Sequence, residues 1–331
     1  MKETTTSQKL APRSDDKGNL MNTLTLDKLT VQTDNLINHV GNTPLLPLRR
    51  VTLGLAPSVS IFAKAEWFNP GGSIKDRAAL NIIQTAIKNG DLTPGKRLLD
   101  STSGNTGIAY ATFGAAMGIP VTLALPENAS KERIAILRSL GVDLILTPAD
   151  DGPEGSMLLV REMAQNEPGK YFYADQYSNP ANWMAHYHST GPEIYYQSNR
   201  QVTHFVAVMG TSGTMMGTGR YLKEQSPNIQ LVGGQPTQPF HGLEGMKHMA
   251  SAIQPAIYDE SVHDRTVAVE TEEAYEMVRR LGREEGLFVG LSSGAAAVAA
   301  LKVAQELDEG VVVTIFPDAG YKYLSNEELW K

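Results

Sequence analysis

Short runs that are apolar almost throughout constrain the fold of this chain most. Examples are VTLAL at 121–125, HFVAVM at 204–209 and VVVTIF at 311–316. A strand with one solvated face alternates apolar and polar residues, whereas a continuous apolar run is typical of a parallel strand covered on both faces. Helical patterns separate these runs with short links, and this alternation predicts an α/β fold with mostly parallel sheets.

The number of predicted strands exceeds what one sheet holds comfortably. We therefore expect two subdomains, each a mostly parallel twisted sheet flanked by helices, with a cleft between them. The predicted division is a flexible N-terminal arm over 1–30, an N-terminal subdomain over 31–185 and a C-terminal subdomain over 186–331. Residues 31–70 of the N-terminal subdomain are expected to pack partly on the C-terminal one, and residues 235–265 are expected to form a mobile loop.

Composition narrows the classes of function. The chain has 331 residues, a formal net charge of −7 and no cysteine, which excludes disulfides, thiolate-ligated metals and a thiol nucleophile. The chain has no long basic run of the kind that binds nucleic acid, and no apolar run reaches the roughly 18 residues of a membrane span. The polar N-terminus has no apolar signal region. We therefore expect a cytoplasmic protein with no membrane, nucleic-acid or metal partner.

A glycine-rich turn, NPGGSIKDR at 69–77, carries the first candidate functional residue. Gly71 and Gly72 allow a tight turn, Ser73 suits a helix N-cap, and Lys75 then falls in the first helical turn. The positive end of the helix dipole disfavours a cation there, so helix stability does not account for Lys75. Two interpretations follow: a solvated surface lysine, or an amine with a lowered pKa that suits Schiff-base chemistry.

Three more Gly/Ser/Thr-rich turns lead into predicted helices. They are STSGNTG at 101–107, GTSGT at 210–214 and GLSSG at 290–294. Backbone N–H groups at a helix start, together with nearby hydroxyls, form a cradle for an anion. The turn at 210–214 lacks both the Gly-Lys-Ser/Thr of a P-loop and the glycine spacing of a dinucleotide site, which favours a single phosphate. Each turn taken alone is also explained as a well-capped helix.

The four turns and several other motifs occur together in one order. This set resembles the fold-type II pyridoxal-phosphate enzymes, and within them the cysteine synthases, from about residue 35 to the C-terminus. Residues 237–250 match the A-type loop poorly and resemble the B-type loosely. The resemblance implies pyridoxal 5′-phosphate as cofactor, an active site in the cleft between the two lobes, and a homodimer. The accompanying motifs are GNTPL at 41–45, QYSNPAN at 176–182, GPEI at 191–194 and PDAGYKYLS at 317–325.

The resemblance implies a role for each matching residue. Lys75 resembles the lysine that forms the Schiff base with the cofactor and moves the Cα proton of the substrate. Asn105 matches the residue that hydrogen-bonds the 3′-oxygen of the cofactor ring, and Ser292 the serine that faces the pyridine nitrogen. The cofactor phosphate would be bound by Gly210, Thr211, Ser212, Gly213 and Thr214, and the substrate carboxylate by Thr102, Ser103, Gly104, Thr106 and Gln176.

Ser292 also favours a reaction type. A carboxylate would hold the pyridine nitrogen protonated and make the ring a deep electron sink, whereas a serine hydroxyl does so weakly. Loss of a β-substituent is then favoured over transamination or racemisation. The expected reaction makes L-cysteine from O-acetyl-L-serine and sulfide through an α-aminoacrylate intermediate.

Several alternatives stay open on the sequence alone. An arginine in 237–250 would favour O-phosphoserine as the substrate, but the stretch offers only Lys247 with His241 and His248. Cystathionine β-synthases share the motif around Lys75, so homocysteine is a second possible acceptor. A silent binding module of the same fold is the non-enzyme alternative. A serine acetyltransferase is a possible protein partner.

Overall fold

The computed structural model describes residues 22–26, 29–102 and 104–331. Of the predicted arm over 1–30, residues 1–21 and 27–28 lie outside the described residues, and the rest belongs to an antiparallel pair of strands. The strands are β1 Asn22–Leu26, β2 Leu29–Thr33, β3 Leu45–Leu48, β4 Ser58–Ala65, β5 Arg97–Ser101, β6 Val121–Pro126, β7 Asp143–Thr147, β8 Tyr171–Tyr173, β9 His204–Val208, β10 Gln230–Pro236, β11 Arg265–Val269 and β12 Glu309–Phe316. The α-helices are α1 Lys75–Asn89, α2 Asn105–Met117, α3 Lys131–Ser139, α4 Gly152–Asn166, α5 Pro180–Ala185, α6 Gly191–Gln197, α7 Gly213–Gln225, α8 Thr271–Arg280, α9 Leu291–Ala304 and α10 Glu327–Trp330.

Two larger sheets form the frame of the molecule. A four-stranded sheet has the order β7-β6-β5-β8 and is parallel throughout. A six-stranded sheet has the order β11-β10-β9-β12-β4-β3 and is parallel except for the edge strand β3. The α/β class with two mostly parallel sheets flanked by helices is therefore confirmed.

Neighbouring apolar residues of a strand are buried in the cores on opposite faces of its sheet. In β5, Leu98 packs with the side chains of α1 and α2, whereas Leu99 packs with Val160 of α4 on the other face. Successive side chains of a strand point to opposite faces, so a strand covered on both faces must be apolar at consecutive positions. This is the physical basis of the continuous apolar runs.

Helix α1 begins where the two sheets meet. Ile74, the residue before it, donates its N–H to Pro317 O at 2.9 Å and packs with Phe205 of the six-stranded sheet. Ile83, further along α1, packs with the core of the four-stranded sheet. Lys75 therefore lies at the junction of the two cores.

Several local predictions were wrong. The helix predicted from Ser73 begins at Lys75 with Ile74 in the N-cap position, although Ser73 Oγ accepts the N–H of Lys75 at 3.2 Å. In the predicted loop over 235–265, the first two residues end β10 and the last begins β11. The strand β3 was not predicted, because its sequence LLPL contains a proline, which an edge strand tolerates. The elements β11, α5 and α6 were not predicted either.

Among the residues described, no helix has both the length and the apolar character needed to cross a membrane.

Candidate active site

A cavity of about 720 Å³ is lined by residues from both sheets and from the segments that follow their strands. The carboxyl ends of several strands reach it, among them Ser101 of β5 and Val208 of β9. The size and the position at strand carboxyl ends are typical of ligand sites in α/β folds. Ten of the predicted site residues line the cavity: Lys75, Thr102, Gly104, Asn105, Thr106, Gln176, Gly210, Thr211, Thr214 and Ser292.

Lys75 lies in the wall of this cavity rather than on the outer surface. It is the first residue of α1, and its side chain is half-buried. Burial lowers the pKa of the Lys75 amine, although the negative charge of Asp318 opposes this effect. A lowered pKa increases the fraction of free amine, which is the form that attacks an aldehyde carbon.

The turn between β9 and α7 has the form of an anion cradle. Ser212 adopts a positive φ of 67° directly before α7, whose first N–H groups have no acceptor within the helix. The Ser212 hydroxyl is buried and has no hydrogen-bond partner among the described residues. A Cβ added at Gly213 would overlap Asn182 Oδ1, so a larger residue there requires the buried Asn182 side chain to move. An orphaned hydroxyl beside free helix N–H groups fits the phosphate of the expected cofactor.

The loop before α2 is joined to the segment that follows β8. Thr106 Oγ1 donates to Gln176 Oε1 at 2.7 Å, and both residues are buried. Asn182, for which no role was predicted, donates from Nδ2 to Gln176 O at 2.7 Å and to Thr211 Oγ1 at 3.3 Å. The predicted carboxylate and phosphate loops therefore share one hydrogen-bonding residue. Of the three remaining predicted residues, Ser212 and Gly213 lie in the turn before α7 without lining the cavity, and Ser103 lies outside the described residues.

Ser292 lines the cavity from the second position of α9. The preceding Gly290 is required by a close approach, because a Cβ there would overlap Asp318 Oδ1. The next residue, Ser293, donates from Oγ to Asp318 O at 3.4 Å. The start of α9 is thus packed directly against the residue that follows β12.

Asp318 and Lys322 are two buried charged residues that were not assigned a role from the sequence. Asp318 is fully buried and accepts at Oδ2 from Asn105 Nδ2 and from Tyr323 OH, each at 2.7 Å. Lys322 donates to Asn105 Oδ1 at 2.7 Å. Asp318 follows the end of an apolar strand, a position where ligand sites occur, and this signal could have identified it. Lys322 lies in the motif PDAGYKYLS at 317–325, which by itself indicated no role for it.

Two arginines outside the predicted loop also line the cavity, Arg133 and Arg161. Arg133 of α3 is buried and pairs with Glu244, in the connection between β10 and β11, through both terminal nitrogens, with Nη2 to Oε2 at 3.0 Å. This pair joins the four-stranded lobe to the connection, and its carboxylate compensates the charge of Arg133. Lys247 of the same connection has its pKa lowered by burial.

Replacing Gly210 by alanine is expected to weaken cofactor binding. A Cβ at this position would overlap the carbonyl oxygen of Gly245, so either the turn or the neighbouring loop must shift. Overpacking of this kind costs about 1–3 kcal/mol, which corresponds to roughly 5- to 150-fold in the dissociation constant of pyridoxal phosphate.

Titration of the unloaded protein with pyridoxal phosphate measures this effect. The matched control is Gly169→Ala, since nothing lies near an added Cβ at this exposed turn. Equal affinities of the two variants would contradict the prediction.

No three His, Asp or Glu side chains in the described part of the chain come together as a group that could hold a metal ion.

Comparison with known proteins agrees with this geometry. The model of the family described as "Pyridoxal-phosphate dependent enzyme" matches residues 36–318. A cysteine synthase from Aquifex aeolicus is 52% identical over 297 residues, which are 88% of this chain and 91% of that protein. A cysteine synthase B from Pseudomonas aeruginosa is 44% identical over 90% of this chain and 98% of its own length.

A solved structure agrees at the level of the fold. The crystal structure of a cysteine synthase from Entamoeba histolytica has a TM-score of 0.86 and 35% sequence identity, and the match covers 94% of each chain. Identity and coverage of this extent exceed what a shared fold alone implies. The chain therefore belongs to the pyridoxal-phosphate-dependent enzymes and, within them, to the cysteine synthases.

Proposed function

We propose that this enzyme makes L-cysteine from O-acetyl-L-serine and sulfide by replacement at Cβ. The observation that carries the proposal is a cavity that combines an amine of lowered pKa with two helix starts of the form that suits an anion. One helix start, at 210–214, would hold the cofactor phosphate. The other, at 102–106, would hold the carboxylate of the amino acid.

Lys75 would carry out the proton transfers. Its amine would hold the cofactor in the absence of substrate, and bound pyridoxal phosphate would withdraw electrons from Cα of the substrate. The free amine of Lys75 takes the Cα proton, and acetate leaves from Cβ with the bonding electron pair. Hydrosulfide then forms the new bond at Cβ, and Lys75 returns the proton to Cα. A base with a lowered pKa suits this role at neutral pH.

The other residues would bind and orient. Ser212 and the first N–H groups of α7 hold the phosphate, with Gly210, Thr211, Gly213 and Thr214 shaping the turn. Thr102, Ser103, Gly104, Thr106 and Gln176 hold the substrate carboxylate. Asn105 would hydrogen-bond the ring oxygen of the cofactor. Ser292 would face the ring nitrogen as a neutral group, which favours loss of the β-substituent over transamination.

Arg133 is already paired with Glu244, and this pairing supports acetate rather than phosphate as the leaving group, while Arg161 and Lys247 of the same cavity wall are the cations left for O-phosphoserine. A dianionic β-substituent needs a cation that is not already compensated, because burying an unpaired charge is costly. With sulfide as the second substrate, we expect kcat/KM for O-acetylserine to exceed that for O-phosphoserine by at least about tenfold. Steady-state formation of cysteine by the loaded enzyme measures this preference.

The variant Glu244→Gln sharpens the comparison. It removes the carboxylate that compensates Arg133 and keeps the shape of the side chain, so it should narrow the preference for O-acetylserine. A wild-type preference for O-phosphoserine would contradict the proposed leaving group. Cystathionine as the main product with homocysteine would identify the other acceptor. Cofactor binding without any turnover would support the silent module.

We also propose a homodimer in the cytoplasm and a serine acetyltransferase as a possible partner. The support is the family resemblance. Sedimentation of the full chain, alone and mixed with a serine acetyltransferase, tests both associations.

A further inference from the structure

Lys322 occupies an unusual environment for an ammonium group. Its side chain is 2% exposed, in the short turn at 320–323. Nζ donates to Gly71 O at 3.1 Å, to Gly72 O at 3.2 Å and to Asn105 Oδ1 at 2.7 Å. An ammonium has three N–H donors, so these three acceptors match its capacity. A buried charge with a complete set of partners indicates a site built around it.

The same cluster determines the orientation of the Asn105 amide. The Lys322 ammonium donates, so it faces the amide oxygen, and Asp318 Oδ2, which also accepts from Tyr323 OH, faces the amide nitrogen. The two orientations of an asparagine amide are otherwise nearly equivalent. The pair of opposite charges therefore selects one of them.

This orientation leaves one N–H of Asn105 for the cavity. The amide nitrogen carries two hydrogens, and one of them is donated to Asp318 Oδ2 at 2.7 Å. Asn105 lines the cavity, so the second hydrogen is available to a ligand oxygen there. With the opposite orientation, Asn105 would present an oxygen, which repels the phenolic oxygen of pyridoxal phosphate.

Lys322 also holds the turn that carries Lys75. Gly71 and Gly72 precede Lys75 by four and three residues, and Gly72 has a positive φ of 76°. One buried ammonium from the C-terminal segment thus joins this turn to the start of α2. These two segments carry Lys75 and Asn105, which are proposed to contact the cofactor.

We propose that Lys322 and Asp318 are positioning residues that fix the Asn105 amide with its free N–H directed at the ring oxygen of the cofactor. This inference rests on the proposed role of Asn105. Tyr323 OH, which donates to the same Asp318 oxygen at 2.7 Å, helps to hold the carboxylate in place. Gly290 makes room for the other carboxylate oxygen.

The first test replaces Lys322 by methionine, which keeps the length of the stem and removes all three donors. We expect pyridoxal phosphate to bind about tenfold more weakly, because a hydrogen bond to a charged group is lost and the Asn105 amide can rotate. We also expect the visible absorption maximum of the bound cofactor to shift, because the hydrogen bond to its ring oxygen changes. Both measurements need no substrate, so they stand apart from the test of cysteine formation.

A double-mutant cycle separates this role from a purely structural one. In an Asn105→Ala background, Lys322→Met should no longer shift the absorption maximum, although it should still lower the melting temperature through the lost contacts to Gly71 and Gly72. A shift of equal size in both backgrounds would overturn the proposal, and so would a wild-type spectrum and affinity in Lys322→Met.

Two further variants complete the design. Lys64→Met is the matched control, because Lys64 is another buried lysine with three acceptors, Thr43 O at 2.8 Å, Gln197 Oε1 at 3.0 Å and Glu193 Oε2 at 2.7 Å. It should lower the melting temperature without shifting the absorption maximum. If Lys322→Met does not fold, Asp318→Asn decides the question, because an amide at 318 no longer enforces one orientation of Asn105. A wild-type spectrum in Asp318→Asn would then overturn the proposal.

Discussion

Lys75→Ala is expected to form cysteine at least about 10³-fold more slowly than the wild-type enzyme. The variant lacks the amine that holds the cofactor and moves the Cα proton. The cavity keeps its other groups, because the side chain is only half-buried and alanine suits the first turn of a helix. The effect should therefore appear in the rate constants and not in the melting temperature of the cofactor-free protein.

Two measurements check this result. The first is steady-state turnover of O-acetylserine with sulfide. The second is borohydride reduction of the loaded protein followed by peptide mass analysis, which should locate the cofactor on Lys75 in the wild type and on no lysine in the variant. Lys88→Ala, at the exposed end of the same helix, is the control. Substantial turnover by Lys75→Ala would contradict the assignment of the amine.

Arg77→Met is expected to lower the free energy of unfolding by about 3–5 kcal/mol. The Arg77 side chain is 1% exposed and forms paired contacts with two carboxylates, Glu66 and Glu193, at 2.7–2.9 Å. Glu66 is completely buried, so removal of the guanidinium leaves a buried carboxylate without its main counter-charge. Burial alone would raise the pKa of Glu66, but Arg77 and then Lys64 hold it below its usual value.

Chemical denaturation at pH 7 measures the loss. Arg265→Ala is the control, because Arg265 also pairs with both oxygens of a glutamate, Glu306, but both side chains are about half exposed. Exposed pairs contribute about 0–1 kcal/mol, so its effect should be small. Similar losses in the two variants would show that burial does not set the strength of the Arg77 network.

The effect of Arg77→Met should also depend on pH. The pKa of Glu193 is about 2 in the folded protein, because its bonds to Arg77 and Lys64 outweigh burial. A carboxyl whose pKa is depressed by folding stabilises the protein above its unfolded pKa of 4.5 and loses this contribution as the pH falls towards 2. The difference in stability between wild type and Arg77→Met should therefore shrink over that range.

The regular elements could be predicted where one physical demand dominates the local sequence. The strands β6, β9 and β12 are apolar at consecutive positions because both faces are covered. Strand β11, RTVAV, was not predicted, because it lies at the edge of its sheet and most of its side chains are exposed. Serine is a residue type that favours the N-cap of a helix, but the contacts of Ser73 and Ile74 with the residues after β12 decide where α1 begins.

Most of the candidate site could also be predicted, because its loops need special residues. A turn that leads from a strand into a helix and leaves N–H groups free requires glycine, serine and threonine at particular positions. Gly213 illustrates this, since a Cβ there would overlap Asn182 Oδ1. These demands are local, so they remain visible in the order of the amino acids.

The sequence by itself determined the α/β class and the Gly/Ser/Thr-rich turns, because backbone geometry and burial on both faces of a sheet act over a few residues, and the expected role of Lys75 came from the family resemblance. Only the tertiary structure decided how the site is completed. Asp318 and Lys322 contact Asn105 from 213 and 217 residues away, and Lys322 reaches Gly71 across 251 residues. A buried charge is stabilised by the partners that the fold brings into contact with it, and a local sequence pattern does not identify those partners.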